Sequence, residues 1–299
     1  MAAKAGPLGT DLNFQFAAAR RDTAGIVDVS TDNFAAWWSV LGAAVRHSSS
    51  SITPLLVNDY RTPKWQSIGT GFVVVDEGHA YLVSAKHAMD EALKHKQFMV
   101  KLFGRALFLS GMYFASDEES DLAISLLPID WLNSHGIEKI YASSLAPLPS
   151  TFERTGRHVV VGFPCSKNAF DSRWDVNRTT TCYWIALDSL EDETPRTGFR
   201  RPLALRYEHR VPGEPEPPSL RGMSGCPVLE VLHRRIGGRK TGVSLYPRGV
   251  LCEWHKRERA IVSERIESVA DLIRDKRAFW QLVSNSHALP FPSIVSPEV

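Results

Sequence analysis

The chain has few cysteines, no long apolar run and no excess of charge of either sign, and each of these shortages excludes a class of protein. Four cysteines, Cys165, Cys182, Cys226 and Cys252, are too few for a disulfide scaffold in 299 residues. None stands in C-x-x-C spacing, which removes the usual zinc and thioredoxin-type readings, so reduced thiols are expected. The apolar runs are short ones such as Phe72 to Val75 and His158 to Phe163, far below the roughly 20 residues of a membrane span. Residues 1 to 11 lack the apolar stretch of about 7 to 15 residues that a secretory signal needs, and a mature or cytoplasmic chain is expected. With 35 Lys+Arg against 33 Asp+Glu, a net of +2, neither a disordered polyelectrolyte nor a strongly basic nucleic-acid binder fits. What is present, 43% hydrophobic and 23% charged residues, is the balance of an ordinary globular chain, long enough for one large domain or two modest ones.

The pattern changes along the chain. Phe34, Trp37, Trp38, Leu41 and Val45 fall at offsets of three and four, which predicts an amphipathic helix capped by Thr31 or Asp32. The four serines Ser48 to Ser51 read as a linker, with a boundary near residue 51. Beyond it come short runs rich in Val, Ile, Phe and Thr: Gly71 to Val75, Ala80 to Ser84, Phe98 to Phe103, Leu122 to Leu127, Val159 to Gly162, Thr180 to Leu187, Cys226 to Leu232, Gly242 to Tyr246 and Gly249 to Trp254. Gly, Pro, Asp and Ser clusters separate them, the signature of a β-sandwich or barrel. Helical spacing returns at Ile266, Val269, Ala270 and Ile273 and continues over Ala278 to Val283, before a tail with Pro290, Pro292 and Pro297. Ser166 to Asn177 and the Pro-rich Asp188 to Ser219 read as surface excursions. The arginines between Arg196 and Arg210 read as a solvated face. Gly237-Gly238-Arg239-Lys240-Thr241 lacks the spacing of a phosphate loop and is expected to be a hairpin turn.

Three segments carry chemistry. In Tyr81-Leu82-Val83-Ser84-Ala85-Lys86-His87-Ala88 a strand ends at a histidine, and in Ser120-Asp121-Leu122-Ala123-Ile124 a carboxylate stands directly ahead of an apolar strand. In Leu220-Arg221-Gly222-Met223-Ser224-Gly225-Cys226-Pro227 a serine sits between glycines on a tight turn. A serine hydroxyl is a poor nucleophile unless a base takes its proton, and the base works best when a third group fixes its tautomer and stabilises its charged form. Ser224, His87 and Asp121 supply those three roles. Asp117, Glu118 and Glu119 are rivals to Asp121, whose place immediately before Leu122 favours it. Glycines around Ser224 let backbone N–H groups converge on one point, and the amides of Gly222 and Ser224 are the candidates for holding an oxyanion.

The ordered set resembles the chymotrypsin-like (trypsin-fold) serine peptidases, in particular bacterial trypsin-like peptidase domains, over roughly residues 54 to 275. The matching pieces are Gly69-Thr70-Gly71-Phe72, the segments around His87, Asp121 and Ser224, and Val160-Val161-Gly162-Phe163-Pro164-Cys165. The order His, Asp, Ser is that family's. The resemblance implies two six-stranded antiparallel barrels, His87 and Asp121 on the first and Ser224 on the second, with the cleft between them. It departs at Met223, where digestive relatives carry the aspartate used in N-terminal activation, and at Cys226, where they have a second glycine. Pro218 stands at the implied base of the primary specificity pocket. Gly249 to Trp254 resembles the strand that pairs with an extended substrate, so Cys252, Glu253 and Trp254 join Pro218 as expected substrate-binding residues.

The expected fold is therefore mostly β, two antiparallel β-barrels over residues 52–150 and 151–262. A C-terminal helix follows at 263–284 and a Pro-rich tail at 285–299, and a helical segment with its linker precedes at 1–51. The expected function is that of a serine endopeptidase acting on protein or peptide, with no metal or organic cofactor and no membrane or nucleic-acid partner. Its activity is expected to be restrained by conformation or by a regulatory protein, for which the N-terminal helix is a candidate contact. The alternative is a catalytically silent module of the same fold that binds extended peptides, and a third reading is an esterase.

Overall fold

The computed structural model describes residues 12–16, 34–58, 65–102, 105–109, 112–137, 142–146, 148, 150, 152–165, 169–170, 180–190, 197–207, 219–236 and 239–285. In chain order the elements are β1 Leu12–Phe16, α1 Phe34–Ser49, β2 Ile52–Asn58, β3 Trp65–Asp76, β4 His79–Ala85, α2 Lys86–Leu93, β5 Gln97–Leu102 and β6 Arg105–Phe108. They continue as β7 Ala115–Asp117, β8 Leu122–Leu127, α3 Ile129–Ser134, β9 Ser143–Ser144, β10 Phe152–Gly162, β11 Ala169–Phe170 and β12 Thr180–Asp188. The last are β13 Pro202–Arg206, β14 Pro227–Ile236, β15 Arg239–His255, β16 Ala260–Arg265, α4 Ile266–Asp275 and α5 Arg277–Asn285.

These strands form two sheets, as the alternation of short β-rich runs and turn residues predicts. The first has the order β6-β5-β2-β3-β4-β8-β7, with β9 and β11 added on β3. It wraps a core of Leu55, Val73, Leu82, Phe98, Val100 and Leu132. The second has the order β1-β12-β10-β14-β15-β16-β13. A bridge between Ser189 and Leu205, with a 2.9 Å bond from the Leu190 amide to the Ala204 carbonyl, ties the end of β12 to β13. The path through six strands thus returns on itself, and only β1, added parallel to β12, stands outside the ring. All ladder pairs within that ring are antiparallel. The architecture is the two-barrel one expected from the sequence.

Several expectations need correction. The Asp188 to Ser219 stretch is not all surface excursion, since β13 within it buries Leu203, Ala204 and Leu205, and the helix expected at 263–284 is two, α4 and α5, starting only after β16 ends at Arg265. The strands expected at Gly242 to Tyr246 and Gly249 to Trp254 are one strand, β15, because a register shift opposite Val228 and Leu229 absorbs the residues between them instead of ending the ladder. The serines at 48–51 are not a linker: the Ser49 and Ser51 hydroxyls donate to Arg46 and Ser48 carbonyls at 2.7 Å, closing the last turn of α1, and the Val73 amide donates to the Ser51 carbonyl at 2.8 Å. The α1 helix packs on the barrels through the described part of its apolar stripe. Leu41 and Val45 are fully buried in a cluster with Phe72 and Val83 of the first sheet, Val159, Leu229 and Val250 of the second, and Ile266, Val269 and Trp280 of α4 and α5. Burying these two side chains in the protein's own core removes them from water as effectively as a partner would. The side chains of Trp37 and Trp38 lie outside the described residues. The Gly237-Gly238 stretch joins β14 to β15, whose last pair is Ile236 with Arg239, in keeping with a hairpin.

Candidate active site

His87 stands on the second residue of α2, immediately after β4. The first turn of a helix has N–H groups without intrahelical partners, and Ala85 provides no side-chain cap. Asp121 supplies the missing acceptors from across the sheet. Its carbonyl accepts the Lys86 amide at 2.7 Å, its Oδ1 accepts the His87 amide at 2.9 Å, and its Oδ2 lies 2.6 Å from His87 Nδ1. An ionised carboxylate only accepts, so Nδ1 carries the proton and Nε2 of the neutral ring keeps a free lone pair. Asp121 adopts φ +50°, a left-handed conformation that Asp tolerates better than most residues. The hydrogen bond to Asp121 raises the His87 pKa above its ordinary 6.5; burial opposes this, and the charges of Asp121, Glu253 and Asp90 add to it.

The rival carboxylates are engaged elsewhere. Glu118 pairs with Lys86 at 2.9 Å and Glu119 with Arg200 at 2.7 Å. Asp117 accepts the Ser120 hydroxyl at 2.5 Å. Among these four acids, Asp121 is the one that grips the histidine.

The turn around Ser224 is held by its own backbone. The Met223 amide donates to the Leu220 carbonyl at 2.8 Å, Cys226 to Met223 at 3.0 Å, and Gly225 to Leu251 at 2.7 Å. The Arg221 carbonyl accepts the Cys165 amide at 2.8 Å. Because a trans peptide points its C=O and N–H in opposite directions, that bond turns the Gly222 amide away from Cys165. Gly222 and Gly225 have φ of +89° and +86°, which side chains with a Cβ seldom adopt. Among the described residues, the amides of Gly222 and Ser224 alone in the 221–226 turn donate to no protein acceptor. They are the two amides expected to hold an oxyanion.

The turn belongs to the second sheet and His87 to the first, so contact between sheets decides whether they meet. The Thr70 amide on β3 donates to the Ser224 carbonyl at 2.9 Å. Gly225 sits so tightly on β4 that a Cβ there would come within 2.1 Å of Ser84 Oγ, 2.2 Å of the Thr70 carbonyl oxygen and 2.7 Å of the Ala85 amide nitrogen. The residue following Ser224 is thereby pressed on the strand end that leads into His87. Sequence reasoning missed this seam: Thr70, Ser84 and Cys165 were legible only as parts of matching segments, and no local pattern distinguishes an interbarrel contact from an ordinary buried polar residue.

The four expected substrate-binding residues separate. Pro218 lies outside the described residues. Cys252, expected among the substrate-binding residues, offers no side chain to a substrate: it is 4% exposed and packs with the core of the first sheet, its Sγ 4.0 Å from the Ser120 and Asp121 carbonyl oxygens. The cause is a register shift between β15 and β16, where Leu251 pairs with Ser263 and Glu253 with Val262; the extra residue, Cys252, turns inward behind Asp121. Burial pushes its thiol pKa well up. Glu253 is exposed, lies 2.8 Å from His255 Nε2 and contributes to the raised His87 pKa. Trp254 is half-buried against Tyr207, ring centroids 6.2 Å apart at 88°, an edge-to-face geometry. Among the described residues no group of three or more His, Cys, Asp and Glu side chains is placed to hold a metal ion.

No protein-family model and no curated protein matches the sequence. Solved structures resemble it at low identity. The serine protease domain of Sesbania mosaic virus polyprotein has a TM-score of 0.42 at 15% identity, covering 74% of this chain and 91% of that one. A structure from work on aromatic interactions in the coupled folding and binding of the disordered Sesbania mosaic virus VPg protein gives 0.41 at 16%, covering 74% and 88%. The MamO protease domain of Magnetospirillum magneticum, in its apo form, gives 0.45 at 10%, covering 75% and 96%.

Proposed function

We propose that the protein is a serine endopeptidase that cleaves peptide bonds through an acyl-enzyme on Ser224. His87 Nε2 takes the Ser224 proton as Oγ attacks the scissile carbonyl, and returns it to the departing amine. Asp121 holds Nδ1–H and stabilises the imidazolium that forms. The oxyanion of the tetrahedral intermediate accepts the Gly222 and Ser224 amides, which need no reorganisation to receive it. Water then repeats the sequence on the acyl-enzyme. The observation that carries this reading is the two-point grip of Asp121 on His87, with one carboxylate oxygen on the ring and the other on the backbone. A structural role for His87 would need no fixed tautomer and would not leave the second ring nitrogen without a bond among the described residues.

The two open amides also bear on restraint. A turn that already presents them calls for no activating rearrangement at Met223, so restraint acts on the access of a protein substrate to the cleft and leaves a small fluorophosphonate free to reach Ser224. Constant full activity of the isolated chain on a protein substrate would remove that part of the proposal.

Intact-mass labelling with a fluorophosphonate tests the central claim. One adduct is expected on the native chain and none on Ser224→Ala or His87→Ala. An unlabelled native chain, or an adduct that persists in Ser224→Ala, would overturn it.

A further inference from the structure

The seam between the sheets contains one hydroxyl in an unusual place. Thr70 is fully buried, and its Oγ1 accepts the Phe163 amide at 3.0 Å while donating to the Gly222 carbonyl at 2.9 Å. A hydroxyl has one proton and two lone pairs, so the two bonds form a directed chain from Phe163 N–H through Thr70 O–H to Gly222 C=O. The same residue's backbone holds Ser224 through its amide and accepts the Ser84 hydroxyl at 2.8 Å through its carbonyl.

The geometry has a definite effect on the turn. The peptide before Gly222 is fixed by the Arg221 carbonyl on Cys165, and the peptide after it at both ends, by the Gly222 carbonyl on Thr70 Oγ1 and by the Met223 amide on the Leu220 carbonyl within the turn. Fixing both peptide planes fixes φ and ψ of Gly222, a residue that by itself resists neither rotation. The Gly222 amide can leave the cleft only if its plane turns. We infer that the Thr70 hydroxyl is a positioning residue that, by gripping the carbonyl of Gly222, keeps the Gly222 amide in register with His87 across the barrel interface. This rests on the serine-peptidase reading for its consequence in catalysis, but not for its effect on the turn.

Two measurements on Thr70→Val, Thr70→Ser and the native chain keep those parts distinguishable. Hydrogen exchange of peptides covering 219–226 is expected to quicken about tenfold in Thr70→Val, since the turn then opens without wider unfolding. Exchange over Gln97–Leu102, a strand of the first sheet away from the seam, should not change. The fluorophosphonate labelling rate should fall by about a hundredfold, the lower range for losing one oxyanion donor, while its acid-limb pH midpoint stays that of the native chain because His87 and Asp121 are untouched. Thr70→Ser, which keeps the hydroxyl, should restore both. If Thr70→Val does not fold, Thr70→Ala, which leaves room for a water at the Gly222 carbonyl, is expected to fall between the two.

Unchanged exchange at 219–226, or exchange that quickens equally over Gln97–Leu102, would overturn the inference. An unlabelled native chain would overturn the peptidase reading, and the exchange comparison would still decide whether Thr70 holds the turn.

Discussion

Replacing Gly225 by alanine tests the contact that joins the two halves of the site. The backbone there has φ +86°, and the new Cβ would lie 2.1 Å from Ser84 Oγ, 2.2 Å from the Thr70 carbonyl oxygen and 2.7 Å from the Ala85 nitrogen. Two contributions are separable. A Cβ in the left-handed region costs about 1–2 kcal/mol wherever it occurs, and Gly78, at φ +82° with nothing within 4 Å of its would-be Cβ, isolates that contribution. Overpacking adds about 1–3 kcal/mol at Gly225, because two of the three obstructing atoms are backbone and cannot rotate aside. At about 2 °C per kcal/mol for a chain of this length, Gly225→Ala should unfold about 2–6 °C below Gly78→Ala in a thermal scan. Adding Ser84→Ala should recover only part of the difference, since the Thr70 and Ala85 backbone remains in place. If the two single variants unfold within about 1 °C of each other, the seam is not as tightly packed as argued and it does not fix the turn against β4.

The labelling rate should fall on the acid side with a midpoint above 6.5, the ordinary value from which His87 is raised, because only the neutral ring can take a proton; Asp121→Asn should lower both the midpoint and the maximum rate. The same shift makes the His87–Asp121 pair stabilising below pH 6.5, with that stabilisation lost as pH rises through the folded pKa, which urea titrations of Asp121→Asn against the native chain would reveal. His158 acts with the opposite sign: burial depresses its pKa from 6.5 to about 4. Stability present above 6.5 should therefore fall by on the order of 3 kcal/mol as pH drops toward 4, and urea titration of His158→Gln should lack that part of the slope. Leu41→Ala should destabilise the protein by about 2–5 kcal/mol in the same assay, whereas a helix that merely rests on the surface would lose almost nothing.

Much of the site was legible because it depends on local chemistry. The short apolar run Leu122 to Leu127 predicts the strand that bears that range, and the glycines flanking Ser224 predict a turn with positive φ, found at Gly222 and Gly225. Asp121 was preferred to its acidic neighbours from its place before an apolar strand, and it is the one beside His87. Other features were not local. The segment around His87 predicts the end of a strand but not the helix that starts at Lys86, whose His87 amide is satisfied by Asp121, 34 residues away along the chain. Cys252 is expected to bind substrate because it stands in a segment resembling the substrate-pairing strand, and a segment's resemblance does not register the shift that turns its side chain inward. The apolar stripe of α1 was plain in the sequence, but a stripe records only that it must be covered; the covering surface, built from both sheets and the C-terminal helices, exists only after the chain has folded. The same distinction applies to Thr70, whose composition and position specify a buried strand residue. Its bonds to Phe163 and Gly222, 93 and 152 residues distant, are a property of how two sheets pack, which no nearest-neighbour preference encodes.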